Sequence, residues 1–161
     1  MSTTHTGGCQ CGAVRYRITA PLAAGDICHC RMCQKAGGNL FGAFVSAPFD
    51  KLIWTRGTPK AFKSSAIVER GFCAECGTNL TFHYIDKRHI GITLGSLDDP
   101  AAVPIKKQFG IEARMPWFDT LPHVPAARTE DEVPAERLAQ FASRQHPDHD
   151  TDTWPPKERT P

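Results

Sequence analysis

Seven cysteines in three short clusters restrict the structures that this 161-residue chain can adopt more than any other feature. The clusters read GGCQCG, CHCRMC and GFCAECG, and their cysteines are Cys9 and Cys11, then Cys28, Cys30 and Cys33, then Cys73 and Cys76. An odd number of thiols leaves one over if the others form disulfides. Seven ligands also do not fill two four-ligand metal sites. They divide instead into one set of four and one set of three.

Other features of the sequence predict a cytoplasmic protein. The first residues, MSTTHTGG, lack the features of a signal peptide, and no apolar run reaches the roughly 18 residues of a membrane span. In the reducing cytoplasm, clustered cysteines serve as thiolate ligands more often than as disulfides. The net charge is +2, from 19 Lys and Arg against 17 Asp and Glu, so we expect neither a nucleic-acid nor a membrane partner. The sequence is also compatible with a homo-oligomer.

Zinc fits these clusters because it binds four thiolate or imidazole ligands in a tetrahedron. In CAECG, a C-x-x-C followed by glycine offers two thiolates from one tight turn, and in CQCG a C-x-C places two side chains on the same side of an extended segment. These half-sites, Cys9 with Cys11 and Cys73 with Cys76, predict one closed structural zinc. The remaining three cysteines would hold a second zinc with its fourth position open, which is the arrangement of a catalytic zinc.

Spacing alone leaves other arrangements open. In a second partition, Cys30 and Cys33 join Cys73 and Cys76, and the open set consists of Cys9, Cys11 and Cys28. The cysteines could also be buried free thiols, or the set of three could be a second structural site that a histidine closes. Both partitions divide the ligands as four plus three.

Several polar or small residues near the clusters have two interpretations each. His29 lies between two ligands of an extended C-x-C, so we expect it to point away from the metal and to be a surface or hydrogen-bonding residue. The amides of Gly37 and Gly38 could receive a substrate oxyanion, or the glycines could form an ordinary turn. Two histidines in strand-like segments, His83 and His89, are expected to be structural. Four basic residues are expected to form a solvated face or an anion-binding rim: Lys51, Arg56, Lys60 and Lys63.

Short runs of alternating apolar residues predict a mainly β fold of antiparallel strands. The runs are Val14, Tyr16 and Ile18; Phe44 and Val45; Val68, Arg70 and Phe72; Leu80, Phe82 and Tyr84; Ile90, Ile92 and Leu94. The segment FGIEARMPWFDTLPHVP predicts a final strand followed by a loop that Trp117 and Phe118 anchor. A short helix follows, with Pro134 at its start and Leu138, Phe141 and Ala142 on one face. We expect one zinc-binding domain over residues 1–125, and the helix with a flexible polar tail over residues 126–161.

The motifs GGCQCGAVRY, CHCRMCQKAGG, FCAECGTNL and MPWFD, in this order, resemble those of the glutathione-dependent formaldehyde-activating enzyme family. The resemblance covers about residues 7 to 120. It implies the Mss4-like fold, which centromere protein V shares, and two zinc ions per chain, one structural and one catalytic. By position it assigns the structural zinc to Cys9, Cys11, Cys73 and Cys76, and the catalytic zinc to Cys28, Cys30 and Cys33.

The sequence therefore predicts a carbon–sulfur lyase that adds a thiol to a small aldehyde, or catalyses the reverse cleavage. Glutathione and formaldehyde are the substrates that the resemblance implies. The cysteines would act as ligands and not as nucleophiles. The alternative is a zinc module without catalytic activity that binds a protein partner, because a fold does not by itself establish chemistry.

Overall fold

The computed structural model describes residues 4–141 and 143–155, and in them ten strands form two sheets. The smaller sheet has the order β1-β2-β5, and all its pairs are antiparallel. Its strands are β1 (His5–Gly8), β2 (Arg15–Ile18) and β5 (Leu52–Arg56). The fold is mainly β, as the sequence predicts.

The larger sheet has seven strands in the order β10-β3-β4-β9-β8-β7-β6. Its strands are β3 (Gly25–Cys28), β4 (Gly42–Pro48), β6 (Lys60–Ser65), β7 (Val68–Phe72), β8 (Asn79–Tyr84), β9 (His89–Thr93) and β10 (Ile105–Phe109). Strands β6 to β9 pair with their sequence neighbours, because short turns join them. The alternating runs of the sequence fall on β2, β4, β7, β8 and β9.

One pair of strands differs from the antiparallel prediction. Strand β10 pairs with β3 in parallel, with Phe109 opposite Cys28. The chain leaves β9 in the middle of the sheet and reaches the far edge through two short 3₁₀ helices, Leu94–Ser96 and Pro100–Ala102. This crossover brings β10 alongside β3 in the same direction. The final strand therefore lies before Trp117 and Phe118, and the aromatic segment forms a 3₁₀ helix, Phe118–His123.

The core joins the two sheets. Tyr16 and Ile18 of the small sheet and Leu80 and Ile92 of the large sheet are all 0% exposed. Each such side chain contributes about 1.5–3 kcal/mol through the burial of apolar surface. The Tyr16 hydroxyl lies 2.8 Å from Ser96 Oγ, so its polar atom also has a partner inside the core.

Helix α1 (Arg31–Gly37) begins directly after Cys30 and carries Cys33 on its buried side. It ends at Gly38, whose φ of 59° lies in the left-handed region that glycine adopts without strain. A short C-terminal helix is present, as predicted. It consists of α2 (Thr129–Glu132), α3 (Ala135–Leu138) and the 3₁₀ turn Ala139–Phe141. Phe141 is 59% exposed, and Ala142 lies outside the described residues.

Part of the segment that the sequence predicts as a flexible tail packs against the small sheet. Asp150 accepts hydrogen bonds from Arg15 Nε and Nη2 at 3.1 and 2.9 Å, and Trp154 Nε1 donates to Cys11 O at 2.6 Å. His146 is 3% exposed. The prediction was wrong for this part because its low apolar content does not reveal partners that are distant in sequence. Residues 156–161 lie outside the described residues, and the boundary at residue 125 stays a prediction.

Among the described residues, no helix has the length and apolar character that crossing a membrane requires.

Candidate metal centres

The first cysteine cluster brings together Cys9, Cys11, Cys73 and Cys76, whose Sγ atoms all lie within 4.8 Å of one another. The Sγ atoms of Cys9 and Cys11 are 3.5 Å apart, and those of Cys11 and Cys73 are 3.8 Å apart. A tetrahedral zinc with bonds of about 2.3 Å holds its sulfur atoms about 3.8 Å from one another. This all-thiolate set therefore fits a zinc ion.

Two similar loops build this cluster. In the first, Cys9 N donates to Val14 O at 2.9 Å and Gly12 N to Cys9 O at 3.0 Å, and in the second, Cys73 N donates to Thr78 O at 2.9 Å and Gly77 N to Cys73 O at 2.9 Å. Each loop turns at a glycine with positive φ, 81° at Gly12 and 76° at Gly77. The first loop joins β1 to β2 and the second joins β7 to β8. A bound metal would therefore connect the two sheets.

Hydrogen bonds tune the thiols of this cluster. Burial alone would raise the pKa of Cys76, but hydrogen bonds from the side chain and backbone of Thr78 and from Cys11 lower it to about 6. Burial raises the pKa of Cys11 and of Cys73. The Val14 amide also donates to Cys9 Sγ at 3.2 Å. Amide donors of this kind stabilise the negative charge of thiolate ligands.

The second cluster consists of Cys28, Cys30 and Cys33, whose Sγ atoms also lie within 4.8 Å of one another. Cys28 ends β3, Cys30 precedes α1, and Cys33 lies in the first turns of α1. The Cys28 and Cys30 Sγ atoms are 3.3 Å apart. These three thiolates also fit zinc, with one tetrahedral position left for another ligand.

The thiols of the second cluster differ in their environments. Burial raises the pKa of Cys28 to about 12. Burial also raises the pKa of Cys33, against an opposing hydrogen bond from Arg70. At Cys30, burial is outweighed by the amide of Cys33 and by the neighbouring thiols, and its pKa is lowered.

The structure thus groups the cysteines in the first of the two partitions. Cys30 and Cys33 do not lie beside Cys73 and Cys76. The assignment of a structural role to one group and a catalytic role to the other stays a prediction.

A cavity of about 550 Å³ opens beside the three-cysteine cluster. Its walls are mainly apolar and include Phe44, Ile67, Val68, Phe82, Tyr84 and Phe109. Polar side chains also reach it, among them Asp26, Ser46, Arg70, Lys87, His89 and Lys107. Because all three cysteines line this cavity, a ligand in it could reach a metal at the cluster.

Arg70 is the functional candidate that the sequence analysis missed. It lies in β7, is 4% exposed, and its Nη2 donates to Cys33 Sγ at 3.4 Å. The guanidinium carbon lies 4.9 Å from the centre of the Phe82 ring. The signal was present in the sequence, because Arg70 occupies an inward position in the alternating run Val68, Arg70, Phe72. An arginine at such a position is rarely buried without a partner.

His29 lies between Cys28 and Cys30 in the sequence, and its side chain is buried. It is 0% exposed, its Nε2 lies 3.0 Å from Gln108 Oε1, and its ring packs edge-on against Phe118 at 4.7 Å. Gln34 Nε2 donates to His29 O at 2.7 Å and so connects α1 to the strand end. His29 is thus a hydrogen-bonding residue, which was one of the two predictions, and it is not a surface residue. It is not part of either cysteine group.

Apart from His89, the remaining candidates do not line the cavity. The Gly38 amide donates to Gln34 O within the cap of α1, and neither Gly37 nor Gly38 lines the cavity. His83 Nε2 lies 3.2 Å from Lys87 O. Arg56 of the predicted basic group donates to Gly12 O and Thr151 O, so it connects the first cysteine loop to the C-terminal segment.

These observations define a class of protein, one in which two β-sheets carry two cysteine clusters that could each hold a metal ion. The family model "Glutathione-dependent formaldehyde-activating enzyme" matches residues 4–112, and the chain belongs to this family.

A protein of Podospora anserina, provisionally named for the same activity, is 34% identical over 95 residues, which are 55% of this chain and 44% of that protein. An uncharacterised lyase of Schizosaccharomyces pombe is 28% identical over 85 residues, 53% of this chain and 61% of that protein. The matches thus span about half the length of these relatives. A crystal structure of a Rhodobacter sphaeroides protein has a similar fold, with a TM-score of 0.50, 22% identity, and coverage of 63% of this chain and 99% of that one.

Proposed function

We propose that this protein is a zinc-dependent carbon–sulfur lyase that adds a thiol such as glutathione to a small aldehyde such as formaldehyde, or catalyses the reverse cleavage. One observation carries the proposal: a group of three cysteines, which would leave the fourth position of a bound zinc to another ligand, lines an open cavity. Membership of the family supports the choice of thiol and aldehyde. All seven cysteines are free thiols, which agrees with a reducing cytoplasm.

Each set of cysteines has a separate task in this proposal. Cys9, Cys11, Cys73 and Cys76 hold a structural zinc, and Cys28, Cys30 and Cys33 hold the catalytic one. Bound there, zinc supplies a Lewis acid that lowers the pKa of an incoming thiol, so that a thiolate exists at neutral pH. The protein residues hold and orient the reactants. Phe44 and Phe82 exclude water from the inner part of the cavity, and Arg70 places a positive charge beside Cys33.

A zinc module that binds a protein partner is the second candidate. Met32 and Phe109 at the edge of the cavity are 54% and 58% exposed, which such a module could use as contact residues. The two functions differ in whether the cavity accelerates a reaction.

The test is the exchange rate of the adduct between glutathione and formaldehyde, measured by NMR with and without protein. Exchange is the correct quantity because the two compounds combine spontaneously. We expect wild-type protein with two zinc ions to accelerate exchange, and Cys30→Ala to abolish the acceleration. Lys35→Ala, on the exposed side of the same helix, is the matched control and should behave like wild type. If the wild type accelerates no exchange with several thiols and aldehydes, the binding module becomes the better explanation.

A further inference from the structure

The cavity beside Cys28, Cys30 and Cys33 is larger than a one-carbon aldehyde needs. Its volume of about 550 Å³ lies within the range of roughly 300–1,000 Å³ that holds whole organic ligands. Formaldehyde is too small to cover the side chains of Phe44, Phe82 and Val68, and glutathione, which the proposed function brings to the same cavity, carries mainly polar and charged groups. An apolar wall of this kind contributes binding energy only when apolar surface covers it. The shape therefore favours a substrate with an apolar substituent.

The charges around the cavity favour the same kind of substrate. Lys87 forms an ion pair with Asp86 at 3.2 Å, and Lys107 lies opposite Asp26 in the pairing of β10 with β3. Both lysines are therefore partly compensated by carboxylates. Arg70 forms no ion pair with a carboxylate among the residues that the structure describes. The inner cavity thus combines Arg70, whose nearest anionic partner is the Cys33 sulfur, with an apolar wall.

Arg70 has one donor nitrogen without a partner. Its Nε donates to Ser64 Oγ at 3.2 Å, and its Nη2 donates to Cys33 Sγ at 3.4 Å. Nη1 is buried and has no hydrogen-bond partner within residues 4–141 and 143–155. A buried donor without a partner costs about 1–3 kcal/mol, and more when it carries charge. The protein covers this nitrogen, so a ligand oxygen in the cavity would bind it once the guanidinium turns toward the cavity.

Arg70 lines the cavity together with all three cysteines, so its guanidinium lies near the place where a thiol would meet an aldehyde. The guanidinium is a rigid planar fork, so Nη1 is fixed next to the nitrogen that contacts Cys33. A thiolate at the open side of the three cysteines would lie close to the same group. An aldehyde that it attacks can then direct its oxygen to Arg70 and its substituent to Phe82.

We infer that the cavity binds aldehydes with an apolar substituent, aromatic ones included, and that Arg70 Nη1 binds their carbonyl oxygen during thiol addition. The inference rests on the proposed function. In the reaction, the thiol loses its proton to solvent and its sulfur forms a bond with the carbonyl carbon. The π electron pair of the carbonyl moves to oxygen, which Arg70 stabilises by hydrogen bonding and charge. The oxygen then takes a proton from solvent and gives the hemithioacetal.

The first experiment tests the substituent. Exchange of glutathione adducts is measured for formaldehyde, isobutyraldehyde and benzaldehyde with the zinc-loaded protein. We expect the acceleration over the uncatalysed rate to be about 10-fold or more greater for benzaldehyde than for formaldehyde. Ser46→Phe, which fills the cavity from an exposed position, should remove this preference, and Ser46→Ala is its matched control. Acceleration of formaldehyde exchange without any preference would overturn the inference and leave the proposed function intact.

A binding experiment separates the cavity from the reaction. Benzyl alcohol resembles an aryl aldehyde but cannot react with a thiol, and its binding is followed by ligand-observed saturation-transfer NMR. We expect binding to wild type and to Ser46→Ala, and loss of binding to Ser46→Phe. Binding without acceleration for any aldehyde would refute the proposed function and retain the cavity as a ligand site. No binding to the wild type would overturn the cavity site itself.

The second experiment tests Arg70. We expect Arg70→Gln to lower kcat for benzaldehyde about 10²–10³-fold, the usual effect of removing one oxyanion donor, and Arg70→Lys to recover part of the loss. In cobalt-substituted protein, the thiolate-to-metal absorption bands of both variants should match wild type. If the bands shift or metal is lost in parallel with the rate, Arg70 acts through Cys33 only, and its contact with the substrate is refuted.

Discussion

Replacing Cys73 with alanine tests the separation between a structural and a catalytic zinc site. Cys73 is 1% exposed and belongs to the core that joins the two sheets. Its loop connects β7 to β8, whereas its partners Cys9 and Cys11 lie in the loop between β1 and β2. Removing this ligand therefore affects the contact between the sheets. The comparison variant is Cys30→Ala, whose site lies within one short segment.

The expected magnitude follows from the energy of structural zinc sites. Structural zinc contributes about 10–16 kcal/mol, so an equal share for each of four ligands is roughly 2.5–4 kcal/mol. Whole domains have stabilities of about 5–15 kcal/mol, so this loss is a large fraction of the total. In a protein of this size, 1 kcal/mol changes Tm by about 2–4 °C. We therefore expect Cys73→Ala to lower Tm by at least roughly 5 °C, and Cys30→Ala to lower it by less than half as much.

The assay is thermal unfolding followed by circular dichroism, with zinc content measured on the same samples. Cys73→Ala should lose one zinc ion together with stability. Cys30→Ala should lose zinc while most of the stability remains. If Cys30→Ala causes the larger drop in Tm, or if Cys73→Ala melts like wild type, the assignment of the four-cysteine site as structural is refuted.

Three further predictions concern metal removal, pH and the C-terminal segment. A mild chelator should remove one zinc well before the other, because three ligands hold a zinc ion less firmly than four. The first loss should abolish the accelerated exchange of the adduct without unfolding the protein. Simultaneous loss of both ions in elemental analysis would contradict this. Burial alone would raise the pKa of Asp98, but hydrogen bonds from Arg15 and Thr6 outweigh it and lower the pKa. The ionised carboxylate therefore stabilises the fold above the usual carboxyl pKa, and this stability disappears as pH falls through the lowered value. Asp98→Asn should therefore cost about 3 kcal/mol in urea unfolding at pH 7 and less below pH 4, since it leaves buried Arg15 with Asp150 alone; an equal cost at both pH values would refute the ion pair as the cause. Gly12→Ala should release the C-terminal segment, because a methyl group there meets the His146 ring. Trp154 is already 42% exposed, so quenching of its fluorescence should increase further in a Trp117→Phe background; unchanged quenching would contradict the packing of this segment.

The sequence was most informative where the interacting residues are local or identical in type. The alternating runs of β2, β7, β8 and β9 predicted the β fold, because periodicity determines it directly. Spacing limited the cysteines to two partitions, and the family resemblance selected the one whose Sγ atoms the structure brings together. Parallel pairing of β10 with β3 could not be predicted, since it depends on a crossover through irregular segments. The docking of Asp150 on Arg15 joins residues 135 positions apart, and composition cannot reveal that partner. Arg70 was overlooked because its meaning depends on which side chains surround it.

The two cysteine groups differ in how far apart their members lie along the chain, and this difference has a consequence for metal loading. Cys28, Cys30 and Cys33 lie within six residues, so an unfolded chain can already bring them around one ion. Cys11 and Cys73 are separated by 62 positions and meet only when the two sheets come together. Metal bound to the local group during synthesis would stabilise the unfolded chain as well as the folded one, and so adds less to net stability. The distant group binds its ion only on folding, so the moment at which the second metal is acquired reports the completion of the fold.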